Sequence, residues 1–201
     1  MTVTNLQIPQ AGFALLMTML VISVIIPVAI TILDVTSKQV RLAGNARDSE
    51  VAFHAANAGL ECAQQVRRAL GATMESYPPA DISVPCFGQT TTASPVTTIL
   101  STNGRVHHYA YQLTWGTAPL QRCTQIDTIL IVSEPDQNTT VQTSALRAVI
   151  PSYPNIASTK TCAESSVCTI ISSRGYNRAC PATLGGTFAA STIQREVLLE
   201  Y

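Results

Sequence analysis

From Met1 to Leu33 the chain carries no charged side chain. Within that stretch Phe13 to Leu33 reads FALLMTMLVISVIIPVAITIL, 21 almost wholly apolar residues. At about 1.5 Å per residue a helix of that length covers about 31 Å, one bilayer core. A helix buried inside a soluble protein would have to be apolar all round for this length, which is uncommon. A cleaved secretory signal has a shorter apolar core that ends in a small-x-small site. Here the run is longer and is followed by Asp34 and a helical pattern, so it predicts a membrane helix over 13–33. Pro27 lies inside it and removes one backbone hydrogen bond. It is either a tolerated membrane proline or a point where the helix stretches during assembly.

Past the membrane segment, 34–72 reads as the amphipathic continuation of the same helix. Only Gly44 and Gly59 weaken it before about Leu70. A narrow seam at 4-3 spacing runs Val35, Leu42, Ala46, Ser49, Phe53, Ala56, Leu60, Ala63, Arg67, Leu70, with one wider gap after Val35. Such a stripe packs on a partner helix or a sheet. Asp34, Lys38, Arg41, Asn45 and Asp48 share another face, solvated or paired between subunits. Ala52, Ala55, Ala56, Ala58 and Gly59 form a patch of small side chains. It lets another backbone approach closely, or it is simply an alanine-rich helix. The whole rod would hold roughly 55 residues over about 80 Å.

Behind the rod the composition changes. Six cysteines occur, Cys62, Cys86, Cys123, Cys162, Cys168 and Cys180, with no C-x-x-C and no histidine at zinc-finger spacing. Scattered cysteines in even number behind a hydrophobic segment predict disulfides in an oxidising compartment rather than a metal site. Cys86 is the nearest candidate partner for Cys62, and the other pairings stay open. The three basic residues Lys38, Arg41 and Arg47 follow the span, which by itself argues against an outward C-terminus. The cysteines argue for it and carry more weight. Formal net charge is zero and only 12% of residues are charged. No electrostatic footprint for nucleic acid is visible. Serine and threonine solvate the surface instead of ions.

Tyr77-Pro78-Pro79 is expected to stop the helix, and 73–201 to form a β-rich extracytoplasmic domain. Thr90 to Thr98 is the most loop-like stretch. Strands are expected over Val106–Trp115, Thr124–Ser133, Val141–Ile150, Cys168–Ser173 and Thr192–Tyr201. Glu134 to Asn138 reads as the turn of a hairpin joining the second and third of these, and Ser172 to Asn177 as a further turn. One long helix before five short strands gives an α+β fold, with an antiparallel sheet wrapped on the helix's upper half and stapled by disulfides.

Two segments resemble the type IV pilin superfamily. Gln10-Ala11-Gly12-Phe13-Ala14-Leu15-Leu16 resembles a prepilin peptidase site, in which a short leader ends in Gly before the hydrophobic helix. Leu42-Ala43-Gly44-Asn45-Ala46-Arg47-Asp48-Ser49-Glu50-Val51-Ala52-Phe53-His54-Ala55-Ala56-Asn57-Ala58-Gly59-Leu60 is similar to the segment of PilX-type minor pilins that runs approximately GN-x-RD-x-x-x-AF-x-AA-x-A-x-L. K-type pseudopilins of type II secretion have a comparable segment. The resemblance implies a leader over 1–12, cleavage after Gly12 by prepilin peptidase, N-methylation of Phe13, and helices bundled in a filament core. It implies no cofactor. Its assembly residues would be Met17, Pro27, Gly44, Asn45, Arg47, Asp48 and Phe53. Major pilins carry Glu at mature position five, where this chain has Met17. That departure suits a minor subunit rather than a shaft subunit.

Other constellations carry less. His107 and His108 fall in a strand and point to opposite faces, so they cannot share a metal. His54 lies on the helix beside Phe53. No G-x-S-x-G, H-E-x-x-H or Walker A sequence is present. The reading is a non-enzymatic minor pilin in the cytoplasmic membrane, later in a pilus or at the cell surface. Its partners would be other pilin subunits, with the adhesion target unspecified. Surface contacts are expected in loops at 86–95 and 162–181. The alternatives are a single-pass envelope protein with an extracytoplasmic binding domain, or a pseudopilin of a secretion or DNA-uptake system.

Overall fold

The computed structural model describes residues 11–96, 99 and 101–201. Most of the expected leader, 1–12, therefore lies outside the described residues. The chain divides into two units, Met1–Ala46 and Arg47–Tyr201, and helix α1, Ala11–Ala69, runs through both.

In the first unit every residue from 12 to 46 is exposed. An 18-residue window of this helix reaches a mean hydropathy of 2.7 with none of it buried in the chain. Its polar side chains are satisfied locally. Thr18, Ser23 and Thr31 each donate a hydroxyl hydrogen bond of 2.8 Å to the carbonyls of Leu15, Leu20 and Val28. A hydroxyl that bonds back to its own helix can enter an apolar medium without an open donor. Pro27 lies inside the helix and leaves the Ser23 carbonyl without its usual donor four residues on. Asp34 and Lys38 mark the end of the apolar run with an i,i+4 ion pair at 2.8 Å.

The second unit begins with the last turns of α1. A short helix α2, Gly71–Glu75, follows, and then, among the described residues, ten strands: β1 Ile82–Cys86, β2 Gln89–Ala93, β3 Pro95–Val96, β4 Ser101–Thr102, β5 Gly104–Trp115, β6 Arg122–Ser133, β7 Thr139–Gln142, β8 Thr159–Cys162, β9 Val167–Tyr176 and β10 Gln194–Glu200, with helix α3, Thr143–Val149, between β7 and β8. All pairings are antiparallel. The main sheet has the order β10-β9-β6-β5-β3, a second sheet β4-β7-β8, and β1 and β2 form a hairpin.

Alternation along the central strand β6 sorts the core into two layers. Ile126 and Leu130, with Tyr109, Tyr111, Leu113 and Ile171, pack against Ala63 and Val66 of α1 and Ile82 and Val84 of β1. Ile129 and Ile131, with Val106 and Ile170, pack against Val141, Leu146, Ile150 and Tyr153. The middle strand is thus buried on both faces, as its near-continuous run TQIDTILIVS requires. The architecture is the expected α+β one: a long apolar N-terminal helix, antiparallel sheets and three disulfides.

Several local expectations are corrected. Strand β7 ends at Gln142, and 143–149 is helical instead of continuing as strand to Ile150. Ala145, Leu146, Arg147 and Ala148 are good helix formers, and a helix brings Leu146 and Ile150, four apart, onto one buried face. The loop expected at 90–98 contains β2 and β3, because threonine suits a pleated surface and Phe87-Gly88 supplies two positive φ angles for a tight hairpin. The turn expected at 172–177 is strand β9 as far as Tyr176. Consequently the contact loops expected at 86–95 and 162–181 are largely strand. Glu134–Asn138 does turn the chain, but β6 and β7 then enter different sheets rather than pairing as a hairpin.

Candidate functional site

Two features carry the candidate function, the exposed apolar helix in the first unit and the docked stretch of α1 in the second. Within the first unit the side chains of Phe13, Met17 and Leu33 all stand about half or more exposed. A Cβ on Gly12 or Gly44 would meet nothing within 4 Å. Nothing among the described residues constrains these positions by packing. Asn45 and Arg47 are likewise exposed, and Asp48 is half-buried.

In the second unit the buried stripe of α1 is Ala52, Ala55, Ala56, Gly59, Cys62, Ala63 and Val66. This is the i, i+3, i+4, i+7 pattern of a helix on a sheet. It is rotated from the seam expected through Ser49, Phe53, Ala56 and Leu60. Phe53 is 47% exposed, and His54 beside it faces Glu50 at 3.7 Å on the outer side. The reason is the small-residue patch. The sheet offers its own glycine, Gly175 of β9, directly under the helix. A Cβ there would lie 2.1 Å from the Ala52 carbonyl oxygen and 2.2 Å from the Ala56 nitrogen. A Cβ on Gly59 would meet the side chains of Thr124 and Ser173 instead of backbone. Alanine and glycine face glycine, and a phenylalanine would hold the two backbones apart.

The close approach is fixed by two unusual hydrogen bonds. Thr124 Oγ1 donates to the Ala55 carbonyl at 3.1 Å, and Ser173 Oγ to the Ala56 carbonyl at 2.7 Å. Trp115 Nε1 donates to Thr124 Oγ1 at 3.1 Å, so the indole reports on this junction. At the start of the docked segment Arg195 of β10 donates to Ser49 Oγ at 2.7 Å.

All six cysteines are paired. Cys62–Cys86 ties the helix to β1, as their proximity in sequence suggested. Cys123–Cys180 ties β6 to the loop after β9, and Cys162–Cys168 closes the β8–β9 connection.

A largely buried polar cluster that the sequence pattern does not show lies on β6. Asp127 of β6 accepts from His108 Nε2 at 2.8 Å and from Arg174 Nη2 at 2.5 Å. His108 and Arg174 lie on the strands either side of β6, each one diagonal step from Asp127, and all three share a face. Residue types alone could have suggested the pairing, but the strand register was needed to find it. The other nitrogen of His108, Nδ1, is buried without a partner, and no hydroxyl or thiol among the described residues bonds to it. The nucleophile–base contact of a hydrolase is therefore not made here. His107 points to the opposite face from His108, and burial next to Arg105 lowers its pKa. Among the described residues no cluster of histidine, cysteine or carboxylate side chains is placed to hold a metal ion.

Residues 11–61 match the family model described as PilX N-terminal. The N-terminal segment is of the PilX type, type IV pilin-like. The match covers the exposed apolar helix and the docked small-residue stripe up to Glu61, and stops before the sheets. No curated protein and no solved structure matches the chain. Over the matched residues 11–61 the PilX-type likeness and the unburied apolar helix support a type IV pilin-family role, with membrane anchoring and association with a pilus.

Proposed function

We propose that this protein is a minor type IV pilin, a structural subunit that is processed at the cytoplasmic membrane and added to a pilus with other pilin subunits. The observation that carries this reading is the helix α1. It is almost wholly apolar over 13–33 and unburied throughout 12–46, and it is docked through a PilX-type small-residue stripe beyond. An unburied apolar surface of this extent needs lipid, and after assembly it needs neighbouring helices to replace lipid.

In this reading 1–12 is the leader, 13–33 the membrane and filament-core segment, 34–72 the amphipathic helix, and 73–201 the extracytoplasmic domain. Prepilin peptidase cuts between Gly12 and Phe13, and Phe13 becomes the methylated N-terminus. Met17 stands where a shaft subunit offers a carboxylate to a neighbour's amine. A subunit at the end of a filament has one neighbour fewer and can do without it. Pro27 gives the core helix a place to stretch. Gly44, Asn45, Arg47, Asp48 and Phe53 lie where α1 meets neighbours, Phe53 being an apolar ring that its own domain leaves outside.

The test is incorporation. Pili sheared from cells that express the protein should contain it by mass spectrometry. It should vanish from that fraction, while remaining in membranes, when prepilin peptidase is inactivated. Protein confined to membranes of well-piliated cells would refute the proposal.

A further inference from the structure

Among the described residues strand β10 is the edge of the main sheet and pairs only with β9. Thr169 and Tyr201 exchange both backbone hydrogen bonds. By the alternation of antiparallel pairing, Arg195, Val197 and Leu199 therefore also bond toward β9. Gln194, Glu196, Leu198 and Glu200 turn their N–H and C=O groups outward. No backbone partner meets those outward groups among the described residues. Beside half-exposed Val197, Leu198 and Leu199 this row has only the charges of Arg195, Glu196 and Glu200 to blunt it, and no proline or covering element among the described residues.

Two cavities flank this strand, one on each face of the sheet. On the helix side a cavity of about 460 Å³ is lined by Gln64, Arg67, Arg68, Leu199 and Tyr201. Arg67 is engaged by Glu75 and Thr169, but Arg68 has no carboxylate within 4 Å among the described residues. On the other side a cavity of about 330 Å³ is lined by Tyr153, Pro154, Ile156, Lys160, Leu198 and Glu200. Lys160 and Glu200 neutralise each other there, and Ile156 stands 92% exposed at the rim. The helix side thus offers the arginine Arg68 beside Leu199, and the other side the exposed Ile156 beside Leu198.

We infer that the open edge of β10 receives an added strand from a partner protein, an extended segment that alternates acidic with aliphatic side chains. Successive side chains of an added strand point to opposite faces, so such a segment puts its carboxylates at Arg68 and its aliphatic groups at Ile156 and Leu198. A second copy of β10 fits less well. Pairing related by a twofold axis would put its Arg195 on the Arg68 side and its Glu196 and Glu200 on the Ile156 side. The inference does not depend on the filament role.

The test uses the full chain in detergent micelles and a fluorescent synthetic peptide of about ten residues alternating glutamate with valine, with the same residues in two blocks as control. The alternating peptide should bind, and on binding the amides of Glu196, Leu198 and Glu200 should exchange with deuterium at least about tenfold more slowly. Arg68→Glu and Ile156→Asp, both at exposed side chains, should each weaken binding about tenfold or more. Leu198→Pro removes an outward donor while leaving the bonds to β9, and should abolish binding. Equal binding of the block peptide, unprotected outward amides, or indifference to Arg68→Glu would overturn the inference. So would protection of the same amides by self-association without peptide, which would make a second copy the occupant.

Discussion

Replacing Gly175 with alanine should be among the most damaging single-methyl changes in the β-domain. The added Cβ would stand 2.1 Å from the Ala52 oxygen, 2.2 Å from the Ala56 nitrogen and 2.8 Å from the Ala55 carbonyl carbon. All three are backbone atoms of α1, so no side-chain rotation relieves the clash. Contact distances near 3.5 Å require the helix to lift by about 1 Å or more. Overpacking of this kind costs about 1–3 kcal/mol. The lift also stretches the Thr124 and Ser173 hydrogen bonds to Ala55 and Ala56, each worth about 1 kcal/mol. The expected loss is about 3–4 kcal/mol, or a fall in Tm of roughly 10 °C for a chain of this size.

Gly59→Ala differs in kind. Its Cβ would meet the side chains of Thr124 and Ser173, which can rotate. It should cost about 1–2 kcal/mol less than Gly175→Ala, and Thr124→Ser should relieve it by removing the methyl that clashes while keeping the hydroxyl. Thr124→Ser should not relieve Gly175→Ala. The assay is urea unfolding of the detergent-solubilised chain with disulfides intact, followed by the fluorescence of Trp115, the single tryptophan. A loss below about 1 kcal/mol for Gly175→Ala, or rescue of it by Thr124→Ser, would refute the backbone-contact argument.

Three further outcomes are expected. Replacing disulfide pairs by serine should destabilise in order of loop length: about 4 kcal/mol for Cys123–Cys180, about 3 for Cys62–Cys86 and about 2 for Cys162–Cys168, from sequence separations of 57, 24 and 6. Unfolding midpoints of the three double variants check the order. Asp127→Asn should cost about 2 kcal/mol in the same assay, because it leaves the buried His108 and the half-buried Arg174 without their carboxylate. His107 has a folded pKa below its ordinary value, so the unfolded chain binds the extra proton. Stability should fall as pH drops through about 6.5, and His107→Leu should remove that part of the pH dependence of the unfolding free energy.

The sequence made the apolar helix, its continuation past the apolar run, the main long strands and the tie from Cys62 to Cys86 legible. The first two are read from local runs and the strands from period-two patterns. What escaped depends on contacts distant in sequence. The helix seam was placed through Phe53 because large apolar residues usually face a core. Here the partner is the backbone of Gly175, and the stripe of alanines wins because only small side chains allow that distance. Gly175 itself looked like part of a turn, since glycine in a strand and glycine in a loop are indistinguishable without the partner. The stretch 143–150 continued the apolar alternation of β7, and the helix there is decided by packing of Leu146 and Ile150 into the second core. Asp127, His108 and Arg174 are ordinary polar residues until the register of β5, β6 and β9 puts them on one face.

The most direct test of the proposed pilin function is the N-terminal residue of the protein in cells with active prepilin peptidase, read by intact-mass and peptide mass spectrometry. The account predicts a mature chain that begins at Phe13, carrying the mass of one added methyl group. A chain that retains Met1 or Thr2 in those cells would contradict it and leave an anchored domain that never enters a filament.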